Sequence, residues 1–132
     1  MSGDRLPAPV RGFIGEHIRS IEQLEVLLLL LRKPDQWWSA EAVAGELRTS
    51  RLSAETRLEE MASHNLLDVR TAESLLFRYH PATSALDVAV RETAQAYAER
   101  RVAVTTFIYS MPNDDLRGFA DAFRIRKGGQ DG

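Results

Sequence analysis

Hydrophobic positions along this chain switch from helical spacing to alternation and back, and that switch predicts its elements. Phe13, Ile14, His17, Ile18 and Ile21 recur at steps of three and four, the period of one helix face. Ser20-Ile21-Glu22-Gln23 matches a capping box, in which a serine oxygen accepts from a backbone N–H and the glutamine reaches back. A short helix is therefore expected before Ser20 and a second from Ile21 to Arg32, ended by Pro34. The second has Leu24, Leu27, Leu28 and Leu31 as its inner stripe, with Val26, Leu29 and Leu30 filling in around it. A helix apolar nearly all round belongs at the centre of a core. After Trp37 and Trp38, Ser39 is a good N-cap for a third helix with Val43 and Leu47 inward, Trp38 packing beneath it and Trp37 partly exposed. Ser53 is the expected N-cap of a fourth, from Ala54 to about His64, with Leu58, Met61 and Ala62 on one face and Asn65 as a left-handed stop.

Alternation follows. Residues 66–70 and 75–81 are β-prone runs around Thr71-Ala72-Glu73-Ser74, which predicts a hairpin with a loop longer than two residues, since no glycine supplies a tight primed turn. From Ser84-Ala85-Leu86-Asp87, a second capping box, the helical period returns. Leu86, Val90, Thr93, Tyr97, Arg101, Val104, Ile108 and Met111 make a heptad-like seam, about 40 Å long as one helix. Val102, Val104, Thr105, Thr106, Phe107, Ile108 and Tyr109 are β-branched or aromatic, so residues 97–111 read as helix or strand. Pro112 ends the seam, and Leu116, Phe119, Ala120 and Phe123 form the stripe of a short terminal helix. The expected organisation is a flexible lead-in over 1–11, one domain over 12–81, a C-terminal helical segment over 82–127 for docking or dimerisation, and a disordered tail over 128–132.

Composition narrows the class. The 132 residues, 44% hydrophobic and 27% charged, suffice for one globular domain with a real core. Cysteine is absent, which excludes disulfide scaffolds, thiolate metal sites and cysteine nucleophiles. The longest apolar run, Val26–Leu31, is far short of a membrane span, and the N-terminus lacks the apolar stretch of a signal peptide. Of 17 basic residues 15 are Arg, the mark of a GC-rich bacterial coding sequence. A cytoplasmic location is expected.

Helix, turn, helix, turn, helix and hairpin is the order of a winged helix-turn-helix. Residues 38–47 are similar to the helix-two signature of bacterial winged-helix regulators. Residues 53–67, Ser53-Ala54-Glu55-Thr56-Arg57-Leu58-Glu59-Glu60-Met61-Ala62-Ser63-His64-Asn65-Leu66-Leu67, resemble their third helix running into the first wing strand. Asn65 stands where that family commonly has Gly. The resemblance covers about residues 21–81, and a long helix after the wing is reminiscent of MarR- and PadR-type regulators, where such helices build a dimer. The implied fold is mainly α with a small β-hairpin: a winged helix-turn-helix followed by a long C-terminal helix and a short terminal one.

The resemblance implies a homodimeric transcriptional regulator on double-stranded DNA, with its third helix in the major groove. By position the DNA contacts would be Arg51, Ser53, Thr56 and Arg57, with Arg70 and Arg78 in the hairpin. Charge opposes this. The net charge of the chain is −2, and residues 39–80 hold five arginines against seven acids, among them Glu55, Glu59 and Glu60 on the third helix. Affinity for DNA rests chiefly on neutralising phosphates, so the alternative is a winged helix that serves as a protein-interaction or dimerisation module. Val90, Tyr97, Val104, Ile108 and Met111 are the expected dimer interface. Arg101, at a seam position, would then need Glu99 or Asp87 of another chain. The basic C-terminal end, Arg117, Arg124, Arg126 and Lys127 against Asp121, either contacts phosphates or offsets a helix C-terminus. His17, His64 and His80 lie in separate elements without metal-ligand spacing, and no nucleophile elbow or phosphate-cradling glycine loop occurs. No cofactor, metal or enzymatic activity is expected.

Overall fold

The computed structural model describes residues 5–111. Helix α1 spans Ala8–His17, with Pro7 as its N-cap and Pro9 in its first turn. Proline is tolerated there because first-turn N–H groups have no intrahelical acceptor. The helix thus begins inside the stretch expected to be a flexible lead-in, and Leu6 and Val10 are buried with Phe13 and Ile14. Helix α2, Ile21–Arg32, starts where the capping box placed it, with Ser20 Oγ accepting the Gln23 N–H at 3.1 Å. The glutamine reaches back one residue further than the box requires, since Gln23 Oε1 accepts the backbone N–H of Arg19. Leu24, Val26, Leu27, Leu29 and Leu30 are all buried, so α2 is the central helix.

A strand not expected from the sequence follows: β1, Trp38–Ser39. Its two residues show too little alternation to register as a strand, and only pairing with the hairpin defines it. Trp38 lies opposite Phe77 and both are buried. Helix α3, Ala40–Leu47, is capped by Ser39 as anticipated and ends on Arg48 in the left-handed region, at φ 57°. Helix α4, Arg51–Ser63, begins three residues earlier than expected, because Ser50 and not Ser53 caps it, accepting the Ser53 N–H at 3.0 Å. Asn65 takes the left-handed stop at φ 66°. Strands β2, Leu67–Thr71, and β3, Leu75–Tyr79, form the hairpin around a three-residue loop. The sheet is antiparallel in the order β1-β3-β2, with Leu67, Phe77 and Tyr79 turned to the core.

The C-terminal part differs most from expectation. Residues 97–99 and 101–110 are helical and not strand, but the single long helix is two: α5, Ser84–Glu99, capped by Thr83 rather than opened by Ser84, and α6, Arg101–Ser110. Arg100 leaves helical geometry at φ −137°, ψ 56°, and its guanidinium donates to the Arg5 carbonyl at 2.8 Å. The break redirects the chain so that Val104 and Ile108 rejoin the core beside α1. The seam is therefore spent inside one protomer: Val90, Tyr97, Val104 and Ile108 are buried and Met111 packs partly buried against the same core. These five are the residues expected at a dimer interface; in the chain itself the first four are buried, with Tyr97 still bordering a surface cavity. Arg101 needs no second chain either. It is exposed, stacks over the Tyr97 ring at 4.3 Å and donates to the Tyr97 hydroxyl at 3.1 Å. The terminal helix expected around Leu116–Phe123 and the basic end lie outside the described residues. Among the described residues, no helix is long and apolar enough to cross a membrane.

Left-handed backbone costs an ordinary residue about 1–2 kcal/mol that glycine escapes. Arg48→Gly should therefore raise unfolding free energy by about 0.5–1 kcal/mol, read as a higher urea midpoint. A lower midpoint would show that the Arg48 side chain contributes more than its backbone costs.

Candidate interaction surface on the third helix and the wing

In the α2–β1–α3–α4–β2–β3 order, α4 and the hairpin occupy the places of the third helix and wing of a winged helix. The inner face of α4 is fixed by Ala54, Leu58 and Met61, all buried. Beside that apolar seam runs a polar one. Glu22 of α2 accepts from Ser53 Oγ at 2.5 Å and from Thr49 Oγ1 at 2.7 Å, and its carboxylate lies 3.2 Å from Arg57 Nε. Arg57 also donates to Glu60 at 2.9 Å, and Gln23, 3% exposed, donates to the same Glu60 oxygen at 2.6 Å. Burial pushes the Glu22 carboxyl up, but hydrogen bonds from Ser53 and Thr49 and the nearby Arg57 outweigh it and hold the group below its ordinary value.

This network engages two of the six expected DNA contacts, which are partly buried in it. Ser53 and Arg57 point at α2 and position α4. Thr56, half-buried, donates its hydroxyl to the Leu52 carbonyl at 2.9 Å. Arg51 is free to meet a ligand, with 61% of its side chain exposed and only a loose 3.8 Å pairing with Glu55. The exposed positions of α4 otherwise present Leu52, 71% exposed, and Glu59, with Glu55 partly buried. Between α4 and the wing lies a groove of about 410 Å³ whose charged lining is Glu41, Glu55 and Glu73 against Arg51.

Arg70 and Arg78 are brought together elsewhere, on the outer face of the sheet. Alternation sends Trp38 inward and Trp37 outward, and the guanidiniums of Arg70 and Arg78 sit 4.4 and 4.5 Å from the Trp37 ring centre. Such cation–π stacks order both partners. Arg78 is also paired with Asp68 at 3.1 Å. Trp37 was anticipated as partly exposed, but its two arginine partners come from strands whose register only the folded sheet sets.

Two further contacts tie the wing and helices together. Tyr79 of β3 donates its hydroxyl to Asp87 of α5 at 2.7 Å, and burial followed by that bond pushes the phenol well above its ordinary value. His17, the last residue of α1, and His64, the C-cap of α4, share a hydrogen bond of 2.9 Å between their Nδ1 atoms, with His17 also packed on Phe13. Sequence spacing could not show this pair, which is 47 residues apart. One imidazole must donate and the other accept, so the bond survives one added proton but not two. No cluster of three or more metal-ligating side chains occurs among the described residues.

Neither a protein-family model nor a curated protein matches this chain. A search of solved structures finds a MarR family protein from Bacillus stearothermophilus, 11% identical, with 93% of this chain and 83% of that one covered at a TM-score of 0.47. The winged-helix assignment stands on the chain's own element order and strand register.

Burial lowers the His17 pKa from 6.5; Glu16 opposes this, and His64 and Arg19 add to it. The folded protein therefore holds this proton less tightly than the unfolded chain. The associated stability is present above pH 6.5 and is lost as the pH falls through the lower folded value. The Glu22 contribution is lost only in more acid solution, below its ordinary 4.5. The urea midpoint should accordingly fall between about pH 7 and about pH 5, and His17→Phe should flatten that fall. An unchanged slope in the variant would remove the histidine pair as its cause.

Proposed function

We propose that this chain is a winged-helix regulator of transcription that works through protein contacts, with the outward face of α4 not seated in a DNA groove. The observation that carries this reading is the charge of that face. Arg51, Leu52 and Glu59 are exposed, Glu55 and Arg57 are partly exposed to a similar degree, and Arg57 is already engaged by Glu22 and Glu60 while Arg51 lies beside Glu55. A duplex presents a phosphate charge about every 1.7 Å of axis, and a reader must neutralise several of them. The groove between α4 and the wing, with three carboxylates to one guanidinium, would repel it. The link to transcription is by analogy with the usual employment of the fold. A cytoplasmic location fits a chain without cysteine.

The second reading, a DNA-binding homodimer, is favoured by the exposed Arg51 at the start of α4. Its dimer face would be the outer side of α6, where Val102 is 77% and Tyr109 79% exposed, in place of the seam residues now placed in the core.

Fluorescence anisotropy of labelled random duplex DNA separates the two. At micromolar protein, no change is expected at either about 50 or about 200 mM salt. Binding at low salt that Arg51→Ala abolishes would establish the DNA reading. Light scattering at high concentration reads the dimer, and a mass near 14.8 kDa would refute it.

A further inference from the structure

Among the described residues the sheet has an open flank: in the order β1-β3-β2, strand β2 has a neighbour on one side only. Two bonds at the ends of the hairpin set the parity of its ladder: the His80 N–H donates to the Leu66 carbonyl at 2.9 Å, and the Ala72 N–H to the Ser74 carbonyl at 3.0 Å. Hydrogen-bonded and non-bonded pairs alternate in an antiparallel ladder. With Asp68 opposite Arg78 and Arg70 opposite Leu76, residues 66, 68, 70 and 72 are the ones bonded to β3. The backbone N–H and C=O groups of Val69 and Thr71 therefore face the open flank. Both residues are exposed, Val69 by 48%.

The side chains along this edge alternate in character. Val69 lies on the core-side face and Arg70 on the outer face. The Arg70 guanidinium is stacked on Trp37 and has no carboxylate partner among the described residues, whereas Arg78 beside it is matched by Asp68. Stacking limits the rotamer freedom of Arg70, so less of it is lost when a ligand binds.

We propose that the open edge of β2 docks an extended segment of a partner protein in which one acidic side chain is flanked by apolar ones. The segment joins the sheet as a fourth strand, its backbone bonding to Val69 and Thr71. An acidic side chain lies over Arg70 and an apolar one beside Val69. This rests on the protein-contact reading and names the surface and the partner's chemistry. A nucleic-acid backbone fits the edge poorly, because its closely spaced phosphates would also meet Asp68 and Glu73. A peptide can place one carboxylate over Arg70 and leave the rest of the edge uncharged.

The full-length protein, isotopically labelled for amide spectra, is titrated with a capped heptapeptide of alternating valine and threonine whose central residue is glutamate, and separately with its central-lysine counterpart. The glutamate peptide should shift the amides of Val69 and Thr71, slow their exchange with solvent, and bind about tenfold more tightly than the lysine peptide. Arg70→Glu should reverse that preference. Val69→Pro should abolish binding with the protein still folded, because the lost N–H points away from the ladder. Failure of the glutamate peptide to bind, equal binding of the two peptides, or binding that survives Val69→Pro would overturn the proposal. Random duplex DNA is the companion titration. Shifts at Arg51 and Thr56 with β2 unmoved would defeat the protein-contact reading while leaving the peptide result at β2 to be judged separately.

Discussion

The carboxylate of Glu22 organises the region on which any function of this fold would depend. It receives Thr49, Ser53 and Arg57 from the chain segment that builds α4, and through Arg57 it is joined to Glu60 and Gln23. Apolar packing of Ala54, Leu58 and Met61 sets which face of α4 turns to the core, and the hydrogen bonds beside it narrow the rotation further, because each donor must meet an oxygen at a fixed angle. That rotation ties Arg57 to the carboxylates of Glu22 and Glu60 and leaves Glu59 exposed, so one network at the edge of the core bears on both the pose of the third helix and the charge it presents.

The C-terminal helices follow a different constraint. A seam of apolar residues at steps of three and four fits either a partner helix or the protein's own core. A bend at Arg100, held by its bond to the Arg5 carbonyl, directs that seam to the core. Val104 and Ile108 then complete a cluster begun by Leu6, which precedes α1, and by Val10 within it. What is left exposed on α6, Val102 and Tyr109, lies off the seam. The same spacing that reads as a dimer interface in one dimension is intramolecular packing in three.

The wing separates two kinds of surface. Toward α4 it offers a groove lined by carboxylates, and on its outer face it offers Trp37 with two guanidiniums. Beside that face runs an unpaired strand edge. Helix positions, the hairpin and the overall surplus of acid near the third helix were legible in the sequence, since each follows from local spacing or composition. The residues that make the surface work were less so. Ser53 has the side chain of an N-cap, yet Ser50 takes that role and releases it to Glu22. Arg70 and Arg78 look like two independent wing cations, and only strand register brings both to one indole ring.

By itself the sequence determined the helices up to the wing, the hairpin, the central place of α2 and the winged-helix order, while leaving residues 97–111 open between helix and strand. All of these arise from the period of apolar residues and from caps within a few positions of one another, where the chain's own geometry leaves little choice. The tertiary structure decided which face each arginine occupies, where the long helix breaks, which third strand completes the sheet, and that His17 meets His64. Those outcomes depend on pairings between residues distant along the chain. Local spacing leaves several pairings open, and burial of the core together with hydrogen-bond satisfaction at its rim selects one.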